Sequence, residues 1–437
     1  MLLAPLGILA ALLTGAAEPD KDASLEAVID RPEPVRFELG ARLEFRAGQP
    51  DSSTPGTAIT DLEIDPLAAL RVPLRTGSLT VAYEPRVFIL LREPVGEAVQ
   101  QVSYLHRGRL VFEVQPAPLW RFFIEGRGAY GEYDFQPLST VIPQSGGTGL
   151  PPDQPSRPGA PPTAPTPTPG VSTLPGERFL RVVDLHAITG VVANLSPRVS
   201  WLFSGGYDYS GGADATSRTQ LPLQKGPRGL TGALWSVTRN DSLAFLLEAS
   251  HSRFSSGPQA TLGSLTSTWS HVWSRTVATD LIGGIGGFHS DLPAVQTSPA
   301  RTEDKLLPVA GLGLRHAWLT RWASWKNSLT FLAAPLPDQI NGLVYERLSA
   351  VLRSTLAPGD KVLLDVSGGA SASIGAPQRD ARVEAKGTFL LAPQFGFSVG
   401  ARVAWLEGST LLPTGFGWLC FVSIGTYAGS PVLGAPM

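Results

Sequence analysis

Val35-Arg36-Phe37-Glu38-Leu39-Gly40-Ala41-Arg42-Leu43-Glu44-Phe45 is the stretch of sequence that decides the fold. Its odd positions are apolar, and its even positions are charged or glycine. Because successive side chains of a β-strand point to opposite faces, this segment has one apolar face and one charged face. In a soluble sheet the apolar face packs inward, whereas in an outer-membrane barrel it meets lipid and the polar face lines the lumen.

The composition favours the membrane barrel. Charged residues are 16% of the 437 residues, against about a quarter in ordinary soluble proteins. Hydrophobic residues are 43%, yet no internal stretch approaches the roughly 20 apolar residues of a membrane helix. Alternation explains both facts, because it spreads the apolar residues over every second position. The net charge of −2 provides no global field to attract nucleic acid.

Alternating segments recur along the chain, and each is long enough for the roughly 9–11 residues of a tilted membrane strand. We count eighteen of them: 35–46, 58–74, 78–91, 101–114, 119–134, 178–195, 199–211, 227–238, 242–254, 261–273, 276–289, 305–318, 325–335, 342–355, 361–372, 381–392, 394–406 and 415–427. The connections alternate between tight turns and mostly longer loops, as periplasmic turns and outer loops do in outer-membrane barrels. The sequence therefore predicts an all-β fold, a closed antiparallel transmembrane β-barrel of about 18 strands (16–20), with both ends in the periplasm.

The ends of the chain and one loop complete the predicted organisation. Residues 1–17 resemble a secretory signal peptide, with an apolar Leu2–Leu13 followed by Gly15-Ala16-Ala17. We expect a short periplasmic segment at 18–33, the barrel at 34–427 and a C-terminal tail at 428–437. Residues 135–177 form a proline-rich extracellular loop, in which polyproline II is favoured and strand pairing is not. This loop either contacts a partner or glycan, or has no function of its own.

Basic residues recur on the face opposite the apolar one. A charge facing lipid would cost about 2–4 kcal/mol near the membrane midplane, so these residues are predicted to line the lumen. The predicted lumen-lining set is Arg36, Arg42, Arg86, Arg107, Arg109, Arg121, Arg127, Arg347, Arg353, Arg382, Lys386 and Arg402. An excess of arginine on the first five segments favours passage of anions. The alternative is an Arg–Glu ladder that holds the wall rigid, as Arg36 with Glu38 and Arg382 with Glu384 would do.

Motifs for catalysis or metal binding are weak in the sequence. The six histidines form neither His-x-x-x-His nor His-Glu-x-x-His. The single cysteine, Cys420, excludes an intrachain disulfide and a cysteine zinc site. Gly283-Gly284-Ile285-Gly286-Gly287 is not followed by the lysine of a phosphate loop and is read as strand glycines. We therefore predict no enzyme activity, no cofactor and no metal.

The signal sequence, the segment count and the arginine-bearing strands resemble the 18-stranded barrels of polysaccharide export. The resemblance is to the alginate-export porin and to the barrel partners of short polysaccharide-export proteins. It covers residues 34–427 and rests on architecture, without a short motif. It implies an outer-membrane conduit for a polysaccharide or another anionic solute, with lipid and a periplasmic polysaccharide-export protein as partners. Two alternatives stay open from the residues alone: a general diffusion porin, and a structural or adhesive barrel whose long loop contacts partners.

Overall fold

Nineteen strands of one antiparallel sheet make up nearly all of the structure that is described. The structure is a computed structural model and describes residues 35–49, 59–92, 102–134, 179–294, 299–337, 344–359, 361–375, 379–392, 395–407 and 415–428. The predicted signal peptide, periplasmic segment, proline-rich loop and C-terminal tail lie outside these residues. The strands are β1 Arg36–Gln49, β2 Ile59–Leu74, β3 Gly77–Tyr83, β4 Arg86–Arg92, β5 Val102–Ala117, β6 Trp120–Asp134, β7 Phe179–Ser196, β8 Val199–Gly212, β9 Gln224–Ser236, β10 Asp241–Phe254, β11 Gln259–Ser274, β12 Val277–Leu292, β13 Arg301–Leu319, β14 Ala323–Pro337, β15 Val344–Pro358, β16 Val362–Ile374, β17 Arg379–Ala392, β18 Phe395–Glu407 and β19 Gly415–Ala428.

The sheet closes on itself. Each strand pairs with its neighbours in sequence, except that β3 and β4 do not pair with each other and both pair with β2 and β5. β1 also pairs with β19, from Leu39 opposite Ala428 to Gln49 opposite Trp418. Closure leaves no strand edge with unpaired backbone groups, which is the condition for a sheet to span lipid. The prediction of a closed antiparallel barrel is confirmed.

The strand count of eighteen is also confirmed, with one interruption. The third predicted segment, 78–91, is divided into β3 and β4, and both pair with β2 and β5. The break falls at Glu84-Pro85, because proline has no backbone N–H to donate. The register against β2 and β5 is the same on both sides of the break, and the Glu84 N–H still donates to the Arg107 carbonyl at 2.9 Å. The two strands therefore occupy one position in the barrel wall.

Connections at one end of the barrel are short, such as 75–76, 118–119, 197–198 and 275–276. Among the described connections at the other end, 213–223 is the longest and 255–258 is short. The former contains the helix α1, Ala215–Gln220. No helix among the described residues is long and apolar enough to cross a membrane.

The two faces of the wall differ sharply in exposure. On β1, Leu43 and Phe45 are 43% and 44% exposed, whereas Glu44 and Arg46 are 4% and 3% exposed. The same alternation places Tyr104 outside and Leu105 inside. The apolar side chains are thus outside, where lipid covers them, and the charged side chains point into the barrel. This inverted arrangement places the protein in the outer membrane.

Exposed tryptophans lie near the strand ends. Trp120, Trp201, Trp273 and Trp318 lie close to the short turns, while Trp405 and Trp418 lie near the other end of β18 and β19. Amphipathic rings prefer the headgroup level of a bilayer. Their positions therefore mark the two boundaries of the membrane-spanning wall.

Candidate functional site: the inward face of the barrel

Every residue of the predicted lumen-lining set lies on a strand, at a position that alternates with outward-facing side chains. The strand pairing brings the members on β1 to β6 together on one arc of the barrel. Arg347, Arg353, Arg382, Lys386 and Arg402 lie on a second arc formed by β15 to β18. The cyclic strand order makes the two arcs nearly continuous through β19 and β1.

The densest cluster of charge joins β1, β2 and β4. Glu63 on β2 accepts from Arg42 at 3.1 Å and from Arg46 at 2.7 Å, and lies 2.8 Å from the Arg86 Nε. Asp61 accepts from the Arg46 Nε at 2.6 Å, and Arg86 donates to Asp65 at 3.1 Å. Arg42 is 21% exposed and the other side chains of the cluster are nearly inaccessible, so each charge is compensated by direct contact with its partner.

Phe88 on β4 closes this cluster on its apolar side. The guanidinium carbons of Arg46 and Arg86 lie 5.3 and 5.7 Å from the centre of its ring. A cation over a ring face at this range is attracted by the ring quadrupole. Phe88 is 3% exposed, so the ring supports the two arginines from within the barrel.

The sequence reasoning missed the acidic half of this cluster. Asp61, Glu63 and Asp65 are not part of the predicted lumen-lining set, although Thr60-Asp61-Leu62-Glu63-Ile64-Asp65 alternates as clearly as β1 does. Period-two alternation was the signal that could have found them. Their presence changes the electrostatics of the wall, because they offset the arginines on the first five segments.

Further ion pairs continue along both sides of this cluster. Arg107 lies 2.8 Å from Glu84, and Glu125 receives Arg127 at 2.6 Å and Arg109 at 3.3 Å. On the second arc, Glu384 accepts from Arg382 at 2.9 Å and from Arg402 at 2.8 Å. Arg347 pairs with Asp380. The alternative of an Arg–Glu ladder therefore describes much of this wall.

Where β7 pairs with β8, the side chain that contacts the carboxylates is a histidine instead of an arginine. The two ring nitrogens of His186 each lie 2.7 Å from a carboxylate, Nε2 from Asp184 and Nδ1 from Asp208. Arg228 on β9 lies 3.5 Å from Asp208. The ring is thus held in one orientation on the inward face.

The arc from β10 to β12 has a different chemistry. Its buried inward side chains include the hydroxyls of Ser264, Thr266, Thr268 and Ser290, with Glu248 as a buried carboxylate. Hydroxyl groups donate and accept hydrogen bonds without fixed charge. The barrel therefore offers a charged, internally paired arc and a largely neutral hydroxyl arc.

One loop folds into the barrel. Leu221, in the connection 213–223 between β8 and β9, is 2% exposed and packs in one cluster with the inward side chains of Leu105, Leu180 and Val182. The close approach depends on Gly212, where a Cβ would lie 2.4 Å from the Ser217 carbonyl carbon. We call residues 213–223 the constriction loop, because it lies over the inward face near the strand ends opposite the short turns.

The constriction loop is held by specific hydrogen bonds. The Asp214 side chain caps α1 by accepting from the Ser217 N–H at 2.8 Å, and this bond lowers the pKa of the Asp214 carboxyl below its ordinary value. Arg218 donates to the carbonyls of Gly212 and Ala213 at 3.0 and 3.2 Å. The Ser217 hydroxyl accepts from the Arg181 N–H at 3.2 Å. These bonds fix the loop to the ends of β7 and β8.

Among the described residues, no group of three or more His, Cys, Asp and Glu side chains is arranged to hold a metal ion. Asp61, Glu63 and Glu384 of the wall face arginines instead. The chemistry available on the inward face is therefore binding through ion pairs and hydroxyls.

Comparison with known families gives one match over most of the chain. Residues 33–423 match the EpsX exopolysaccharide export family. The comparison with curated proteins found no matching sequence.

Among solved structures, the outer membrane protein OpdK from Pseudomonas aeruginosa is similar at 8% identity and a TM-score of 0.42, covering 91% of this chain and 100% of that chain. OccAB2 from Acinetobacter baumannii is similar at 9% identity and a TM-score of 0.45, covering 90% of this chain and 98% of that chain.

Proposed function

The chain belongs to the EpsX exopolysaccharide export family, and we propose that its barrel is the conduit through which an anionic polysaccharide leaves the cell. The observation that carries the proposal is the inward face, where charges are paired within the wall and a neutral hydroxyl arc lies opposite. A porin for small ions does not need such pairing, whereas a long polymer must pass many wall groups in succession.

The pairing of charges suits a sliding polymer. Conduction requires binding that is favourable enough for entry and weak enough for release. Arg42, Arg46 and Arg86 already have carboxylate partners, so they do not hold each acidic sugar with full strength. The hydroxyls of Thr266 and Thr268 offer hydrogen bonds that one sugar can exchange for the next.

The constriction loop gives this conduit a narrow point at its outer end. With the ends of the chain in the periplasm, the connection 213–223 faces outward. Its Leu221 packs against the inward side chains of Leu105, Leu180 and Val182, so the loop itself occupies part of the passage. The proposal includes a periplasmic polysaccharide-export protein, which would deliver the polymer to the opposite end, where the turns are short.

Deletion of the gene in its native cell tests the proposal. We expect polysaccharide to disappear from the cell surface and to accumulate in the periplasm, with unchanged uptake of small solutes. Complementation with the full chain should restore export, whereas a chain lacking β19 (Gly415–Ala428) should not, because its barrel cannot close. Normal surface polysaccharide combined with reduced uptake of small solutes would instead identify a diffusion porin.

A further inference from the structure

The short turns carry exposed positive charge around the barrel rim. Six of these turns each contribute one exposed cation, and we call these residues the rim cations: Arg75, Arg198, Arg239, Arg275, Arg321 and Lys361. The described turn residues at this end, within 75–76, 118–119, 197–198, 237–240, 275–276, 320–322, 359 and 361, include no acidic side chain. In the sequence, Asp241 follows one of these turns and Asp360 precedes Lys361. Asp241 already accepts from Trp269 at 3.1 Å and lies 2.7 Å from His271.

The rest of the passage lacks such a concentration of unbalanced charge. The wall arginines face carboxylates at 2.6–3.3 Å, as Arg46 does with Asp61 and Arg109 does with Glu125. Near the other end the inward clusters are apolar, namely Leu221 with Leu105 and Phe288 with Leu262 and Val344. Among the residues that the structure describes, unbalanced positive charge is therefore concentrated at the short-turn mouth of the barrel.

A ring of fixed cations acts at a distance on a charged polymer. At physiological ionic strength the Debye length is about 8 Å, so each rim cation acts on the part of a chain that passes within this distance, and a ring of them meets the chain wherever it crosses the rim. Such a ring raises the local concentration of anions at the mouth. Because the paired wall beyond it binds weakly, the ring would capture the polymer and the wall would let it pass.

We propose that the rim cations form the entry site for a polyanionic polysaccharide, one that bears carboxylate, sulfate or phosphate groups. This inference rests on the proposed function and adds the residues that capture the anionic polymer at the short-turn end. It adds a source of anion preference beside the wall arginines, which Asp61, Glu63 and Asp65 partly offset.

Sided block of single channels in planar bilayers tests the entry site. The probes are polygalacturonate and neutral dextran of the same length, added to each side in turn. We expect polygalacturonate to block the current from the short-turn side at a concentration about tenfold lower than from the other side. Dextran should show no such asymmetry.

Two matched triple variants assign the effect to one rim. Replacing Arg198, Arg239 and Arg275 with glutamine should abolish most of the asymmetry. Replacing Lys225, Arg253 and Arg301 with glutamine removes the same number of exposed cations from the strand ends at the other side and should leave the asymmetry intact. Both variants should keep the heat-modifiable migration of the folded barrel on a gel, which shows that each has folded.

The outcomes separate this inference from the proposed function. Two results would overturn the entry site without bearing on export in cells. One is a block asymmetry that survives in the Arg198/Arg239/Arg275 variant, and the other is a block by dextran that shows the same asymmetry as the block by polygalacturonate. Loss of co-purified anionic phospholipid from that variant, with polymer block unchanged, would assign the rim cations to lipid headgroups and overturn the proposal. Sided block by polygalacturonate in a protein whose deletion leaves surface polysaccharide normal would support the binding site and refute the export function.

Discussion

Glu63 is the residue on which the charged wall depends most. One carboxylate contacts three guanidinium groups, those of Arg42, Arg46 and Arg86, and its side chain is 2% exposed. Removing one partner from a buried ion pair is far more costly than removing a pair as a unit, because the remaining charge is left uncompensated. Here the loss of a single negative charge weakens the compensation of three positive ones.

Glu63→Gln is therefore expected to destabilise the barrel, by up to about 3–5 kcal/mol. The measurement is the urea midpoint for loss of the heat-modifiable, folded band on a gel. Glu407→Gln is the matched control, because Glu407 forms a 3.6 Å pair with Arg379 in which both side chains are over one third exposed. Exposed pairs of this kind are worth roughly 0–1 kcal/mol. Equal midpoints for the two variants would show that the cluster does not stabilise the wall.

The Asp214 carboxylate makes the stability of helix α1 in the constriction loop depend on pH. The Ser217 N–H bond lowers the pKa of this carboxyl, so its capping contribution is complete above the ordinary Asp range and is lost as the pH falls through the lowered value. We expect amides 217–221 of the unmodified protein to exchange slowly at pH 6 and to lose protection below about pH 4. Asp214→Ala should exchange fast at every pH, since loss of a cap costs about 1 kcal/mol.

Asp214→Asn separates the cap from its charge. Asparagine caps helices about as well as aspartate but does not titrate in this range. Hydrogen exchange in this variant, compared at each pH with the unmodified protein, should stay protected at low pH. Loss of protection at the same pH in both proteins would place the titrating group elsewhere.

At the scale of elements, period-two alternation predicted the strands well, but it predicted neither the break within one of them nor the loop that folds inward. It identified β1 because Val35 to Phe45 alternates without exception, and it treated 78–91 as one segment, which the shared register of β3 and β4 supports. It did not predict the Glu84-Pro85 break, because a missing proline N–H is local and does not disturb the apolar pattern. The inward folding of the constriction loop was also not predicted, because Leu221 gains its partners only when β5 and β7 are brought together by closure.

The constriction loop gives a prediction at this scale. Leu221→Asp places a charge against Leu105, Leu180 and Val182, and burying an unpaired charge is strongly unfavourable. We expect the loop to leave the passage and the single-channel conductance to rise, with no change in the gel midpoint of the barrel. Thr219→Ala, at an exposed position of the same loop, should behave as the unmodified protein. Unchanged conductance in Leu221→Asp would mean that this loop does not limit the passage.

At the scale of the whole molecule, charge proved harder to predict than fold. Eighteen strand positions follow from counting alternating segments, since each must contribute its apolar face to the outside of one barrel. The net charge of the wall depends on which carboxylates meet which arginines, and this is set by register, as when Asp61 on β2 reaches Arg46 on β1. A list of charged residues made one segment at a time does not include the register between strands, so it could not predict which arginines are paired with carboxylates.

Closure itself can be tested with the single native cysteine. Register places Cys420 on β19 opposite Ala47 on β1 and opposite Ala401 on β18. Directly opposed residues of antiparallel strands have Cα atoms about 4.5–5.5 Å apart, which is within the range that a disulfide spans. Oxidation of the Ala47→Cys variant in detergent is therefore expected to produce an intramolecular cross-link, seen after heating as a change in gel mobility that reductant reverses.

Two further variants make this cross-link specific to the closing seam. Ala401→Cys should also cross-link, because β18 and β19 are neighbours in sequence whether or not the barrel is closed. Ala41→Cys should not, because its partner is Thr426, about 20 Å along β19 from Cys420. Cross-linking in Ala401→Cys alone would describe an open sheet with two free edges. Such a sheet could neither remain in the outer membrane nor enclose a passage, so the seam between β1 and β19 is the contact on which both the fold and the proposed export function depend.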